Sequence, residues 1–147
     1  MASTNIDSPC VQSHLAILQS VIARMASNSA NCKMWCVTLV AAILVVGADG
    51  AKIRFALLAL VPTVFFLLLD AYYLSLERCF RHKYDSFVEN LSRDPSVVSG
   101  MFVVKLNMTR AAKLRSLAES ALSVSILPFY GSLAIMIVVA WWLMHKP

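Results

Sequence analysis

No charged side chain occurs between Ser120 and Met144. A helix crossing a bilayer needs about 20 mostly apolar residues, and this run meets that length. Two further segments come close. Met34–Ala48 is uncharged, and Phe55–Leu69 is uncharged and continues through Asp70 as far as Glu77. A soluble domain of 147 residues has too much surface to hide three such segments. Composition agrees: 59% of residues are hydrophobic and 14% charged, which excludes a disordered chain. Four cysteines in 147 residues are too few for a disulfide scaffold. The fold class expected is an all-α integral membrane protein. It has three transmembrane helices with cytoplasmic helical extensions and assembles as a homo-oligomer.

The charges order these parts. With three spans, the N-terminal region and the loop between the second and third spans share a side. Ten of the 13 basic residues fall there, from Arg24 and Lys33 through Arg78–Arg115. The positive-inside rule makes that side cytoplasmic and puts the C-terminus outside. Trp35 and Tyr72–Tyr73 mark one aromatic belt, and Trp141–Trp142 the other. Gly47, Asp49 and Gly50 predict a tight turn between the first two spans. Four regions follow: a cytoplasmic amphipathic helix (1–31), a transmembrane hairpin (32–76, about 32–50 and 54–76), a cytoplasmic helical module (77–119), and a third span with a short tail (120–147).

Ser8–Pro9 is a helix start. Val11, Leu15, Leu18, Ile22 and Met25 then recur at helical spacing until Ser27–Asn28–Ser29, where a break is expected. The second span is expected to run on as one helix from about 54 to 92, with Phe80, Tyr84, Phe87 and Leu91 as its apolar stripe. Asp94–Pro95–Ser96 marks a turn, and FVVKLN (102–107) reads as a short strand or a linker. Thr109 can cap a last cytoplasmic helix that runs into the third span. The stripe of the N-terminal helix is expected to pack against another helix. Leu15, Leu18, Ile22, Phe80, Tyr84 and Phe87 are therefore also candidate oligomer contacts.

Chemistry is sparse. Asp70 is the only acid within an apolar segment, and such acids mark ion pathways or gates by default. The plainer alternative is a headgroup-level residue paired with Lys33, or with Arg78 of a neighbouring subunit. Pro62 and Pro128 each interrupt a span, as packing features or as hinges. Asp70, Pro62 and Pro128 are the candidate pore or gate residues. Arg78, Arg81, Lys83, Arg110, Lys113 and Arg115 are candidates for an anionic ligand or lipid headgroups. The cysteines read as packed thiols. No metal site, cofactor or catalytic constellation is expected, so the chain is not read as an enzyme. Nor does the net charge of +5 call for a nucleic-acid polymer.

Three stretches carry a resemblance: HLAILQSVIARMASNSANCKMWCVTLVAA, LDAYYLSLERCFRHKYDSF and PFYGSLAIMIVVAWWL. They resemble small multi-span bacterial inner-membrane proteins of unknown function over about two-thirds of the chain. More loosely, the architecture resembles the SLATT-type membrane effectors, although a third span departs from their two-span plan. The resemblance implies an inner-membrane oligomer that permeabilises the membrane on a cytoplasmic trigger, in antiphage defence. A cytoplasmic protein or a nucleotide second messenger would be the trigger. The other expectations are a membrane-anchored scaffold for a cytoplasmic partner, or a small ion channel or transporter.

Overall fold

The computed structural model describes residues 8–48, 57–93 and 109–145. Almost all of these are helical. Four helices follow in order: α1 (Pro9–Ala48), α2 (Leu60–Arg93), α3 (Arg110–Ala121) and α4 (Leu127–His145). The expected turn at Asp49–Gly50, the 94–96 turn and the FVVKLN segment lie outside the described residues.

α1 is one unbroken helix of 40 residues, about 60 Å long. The expected break at Ser27–Asn28–Ser29 does not occur. Ser and Asn in a helix cost only about 0.5 kcal/mol each relative to Ala, less than a packed face contributes. That face passes straight through the cluster. Val11, His14, Leu18, Ser29, Cys32, Cys36 and Val40 are buried, with half-buried Ile22 and Met25 between them. Every step along this stripe is three or four residues, so it keeps to one side of a straight helix. The start is as predicted: the Val11 amide donates to the Ser8 hydroxyl at 3.4 Å, and Pro9 opens the helix.

α2 runs antiparallel to α1. Val11 clusters with Leu91, the His14 ring meets Phe87, Gln19 bonds Tyr84, and Lys33 bridges to Asp70. In each pair the sequence numbers sum to between 101 and 103, as in a helical hairpin without slip. α2 does not begin near residue 54 as one uninterrupted helix. Leu57 and Leu58 are helical, Ala59 is a turn, and Leu60 opens α2. Pro62 accounts for this, because it cannot donate to the carbonyl one turn back. The Ala59 carbonyl instead accepts from both the amide and the hydroxyl of Thr63. Pro62 thus lies in the first turn of α2, directly after a turn at Ala59.

The expected continuity of α3 into α4 also fails. Thr109 caps α3 as predicted, its hydroxyl accepting from the Ala112 amide, but α3 stops at Ala121. Five residues, 122–126, turn the chain before α4. Pro128 lies in the first turn of α4, where a missing N–H costs no helical bond. It starts that helix and does not interrupt it.

α4 and the end of α3 close over one half of the hairpin. Ile126, Tyr130, Leu133 and Ile137 pack with Cys36, Val40, Ala59 and Ala71 to form the main core. Among the described residues, α1 and α2 are long and apolar enough to cross a membrane. α4 carries a shorter apolar run, Leu127–Leu143. Only 22% of the most apolar window of α1 and of α2 is buried. A soluble core helix would be mostly buried, whereas Val45, Val46, Val61, Phe65 and Leu68 all face outward.

Candidate functional site

The hairpin has an apolar half and a charged half, and a buried polar cluster marks the boundary. Ser29 and Lys33 lie one turn apart on the inward side of α1. Across from them, on α2, is Asp70, which is fully buried. The Ser29 hydroxyl donates to Asp70 Oδ1, and Lys33 Nζ lies 2.5 Å from Oδ2. Lys33 also donates to the Ser29 hydroxyl at 3.3 Å, which closes a three-membered ring of partners. The Lys33 side chain is 23% exposed, so the cation reaches the surface while the carboxylate does not. Exposed Trp35 and Tyr72 lie beside this level. Deeper in the apolar half, the Tyr130 hydroxyl donates to the Phe66 carbonyl at 3.2 Å. On the charged side, the Ser75 and Ser116 hydroxyls meet at 2.8 Å and tie α3 to α2.

Asp70 is therefore paired within its own chain, the Lys33 pairing being one of the two partners its sequence position suggests. Ser29, whose only sequence signal was its position one turn before Lys33, is the member of the cluster that reading by residue type misses. Burying a charge pair costs several kcal/mol of desolvation per ion, offset only by good geometry and further hydrogen bonds. Such a pair also fixes register: sliding one helix by a turn would strand both charges.

The charged half of the hairpin is a stalk. Its α1 part, Pro9–Lys33, is about 37 Å long, and its α2 part, Asp70–Arg93, about 36 Å. Leu18 and Phe80 are buried in its seam, and Leu15 and Phe87 are half-buried. Gln19 donates to the Tyr84 hydroxyl at 3.2 Å. Of the candidate oligomer contacts, Leu15, Leu18, Phe80 and Phe87 are thus wholly or partly buried within the single chain, while Ile22 and Tyr84 reach its open flank. Beside the seam, Gln19, Ile22, Ala23, Ala26, Arg81, Tyr84 and Asp85 line an open groove of about 410 Å³.

The basic candidates do not converge. At 100° per residue, Arg78 and Arg81 lie about 60° apart on one side of α2, while Lys83 points about 140° or more away from both. Arg81 is held by Glu77 and Arg115 by Glu119, each one turn away. Arg78 and Lys113 are exposed, and Arg110 opens α3. No phosphate cradle forms among the described basic side chains. No group of three or more His, Cys, Asp or Glu able to hold a metal occurs among the described residues. No disulfide joins the four cysteines.

One stalk residue carries a pH signal. His14 contacts Phe87 with ring centroids 4.7 Å apart, and burial, then the nearby Lys83 charge, hold its pKa below the ordinary 6.5. The unfolded chain therefore binds this proton more readily than the folded one, so stability rises with pH in that window. The His14 contribution is complete above about pH 6.5 and falls as pH drops below it, down to the depressed folded value. Denaturant midpoints measured between pH 7.5 and 5 should decline, and His14→Phe should flatten the decline. An unchanged slope in that variant would move the effect to another group.

No family model, curated protein or solved structure matches the chain.

Proposed function

We propose that this chain is a membrane-anchored binding subunit, which holds a rigid helical stalk at the cytoplasmic face of a bacterial inner membrane. α1, α2 and α4 cross the bilayer, with the N-terminus inside and the C-terminus outside. The stalk groove receives a cytoplasmic partner. The observation that carries this reading is the continuation of the hairpin about 36 Å past its apolar half, with an open, mixed polar and apolar groove on its flank. The ten-to-three distribution of basic residues supports the orientation.

A second reading is an oligomeric pore-forming effector of antiphage defence. The buried Asp70–Lys33 pair favours it, since ionisable groups at membrane depth are commonly functional. The outward surface weighs against it. A pore needs a polar lining, yet the described exposed face of the apolar half is aliphatic and aromatic. Its outward hydroxyls, Thr38 and Ser132, bond back to their own helices.

The test combines topology with conductance. Cys10 is exposed at the tip of the stalk. An impermeant maleimide should label it in inverted membrane vesicles and not in intact spheroplasts. Purified protein in planar bilayers should leave conductance at baseline. A soluble protein should co-purify with the wild type and be lost from Ile22→Glu, which lies in the groove. Reproducible single-channel steps that change in Asp70→Asn would replace this reading with the pore.

A further inference from the structure

α3 has one broad apolar face, only part of which is covered. Its inner edge, Leu117 and Ala121, packs on the core beside Ser116, which bonds Ser75. Its outer edge faces away from the protein. Leu114 is 69% exposed and the helix-capping Leu122 71% exposed, with Ala118 exposed between them. These positions recur every four residues, so they form one side of the helix. Beyond the cap, Val124 is 90% exposed, and the surface continues through Leu127 towards the outward aliphatic face of α4. A helix bathed in water places polar residues on such a side.

Three features name the occupant. The Ser75–Ser116 bond seats α3 within a turn of Tyr72, at the level of the exposed aromatics that flank the Asp70 cluster. The outward stripe is continuous with the apolar surface of α4. Its flanks are basic: Lys113 and Arg115 are exposed, and α3 carries three basic residues against one acid. Exposed leucines beside Lys and Arg, at the edge of an apolar zone, are the pattern of a helix lying in a headgroup region.

We infer that α3 is an interfacial helix, whose Leu114–Ala118–Leu122 side, together with Val124, sinks into an anionic lipid leaflet while Lys113 and Arg115 meet lipid phosphates. The inference rests on the membrane reading above and adds a lipid class and a docking face to it. It also gives the basic residues of α3 a role that needs no soluble ligand.

Accessibility in vesicles tests it. Full-length Leu114→Cys, Leu122→Cys and Ala112→Cys proteins are reconstituted in phosphatidylethanolamine with phosphatidylglycerol, stalk outward. Each is treated with an impermeant maleimide and read peptide by peptide, with native Cys10 as the exposed reference. Positions 114 and 122 should react about 10-fold more slowly than 112, which lies on another side of the helix. The protection should shrink when phosphatidylcholine replaces the anionic lipid, and again with Lys113→Gln/Arg115→Gln. Equal rates at all three positions overturn the inference. So does protection that follows protein density and ignores lipid charge, which would assign the face to a second copy. If alkaline carbonate strips the chain from vesicles in which position 122 was protected, the spanning reading falls and the interfacial helix stands.

Discussion

Replacing Lys33 with methionine should destabilise the hairpin by about 3–5 kcal/mol, because it leaves the Asp70 carboxylate buried with only Ser29 as a partner. Asp70 has no route to water, being fully buried. Asp70→Asn should cost less, since the freed cation, already 23% exposed, can turn outward and the amide retains an oxygen for Ser29. The double variant Lys33→Met/Asp70→Leu should recover most of the loss, as well-packed apolar replacements of buried pairs commonly do. Thermal unfolding in detergent, followed by circular dichroism, measures all three. Losses that simply add in the double variant would show that the two residues act separately and would remove the register role.

Leu18→Ala should cost about 2–5 kcal/mol, the range for removing a fully buried leucine side chain. The loss should be local. Leu18 belongs to the seam of the stalk, and the main core lies beyond the Ser29–Lys33–Asp70 cluster in the apolar half. Hydrogen exchange should therefore accelerate in Pro9–Met25 and in Phe80–Arg93, while amides from Cys36 to Val46 and in α4 keep their protection. Uniform acceleration along α1 would show that stalk and apolar half open as one unit.

The sequence showed the helices better than their ends. The stripe beginning at Val11 and the stripe through Phe80 and Phe87 each had helical spacing, and they meet in space as those periods require. The Ser27–Asn28–Ser29 break was a reading of residue type without its partner. Ser29 looks like a helix breaker until Asp70, 41 positions away, supplies an acceptor for its hydroxyl. The prolines misled in the opposite sense. Pro62 and Pro128 lie inside hydrophobic runs, but each stands in the first turn of its helix, where Ala59 and the 122–126 turn absorb the missing donor. Nor does a count of charges show direction: Arg78, Arg81 and Lys83 read as a cluster along the chain, but once wound on a helix Lys83 turns away from the other two. The groove was beyond reach, since it depends on which side of Ile22 and Tyr84 the seam leaves open.

Between Pro9 and Gly47, α1 contains neither proline nor glycine, and its inward stripe never changes side. Such a rod has no built-in joint at which a push could dissipate. A twist or axial displacement applied near Cys10 would be carried towards Val40 along one continuous helix, much as a shaft links a handle to its blade. The partner helix differs, because the turn at Ala59 breaks its line at the far end. The hairpin thus joins a stiff shaft to a jointed one, and the joint lies at the opposite end of the molecule from the groove.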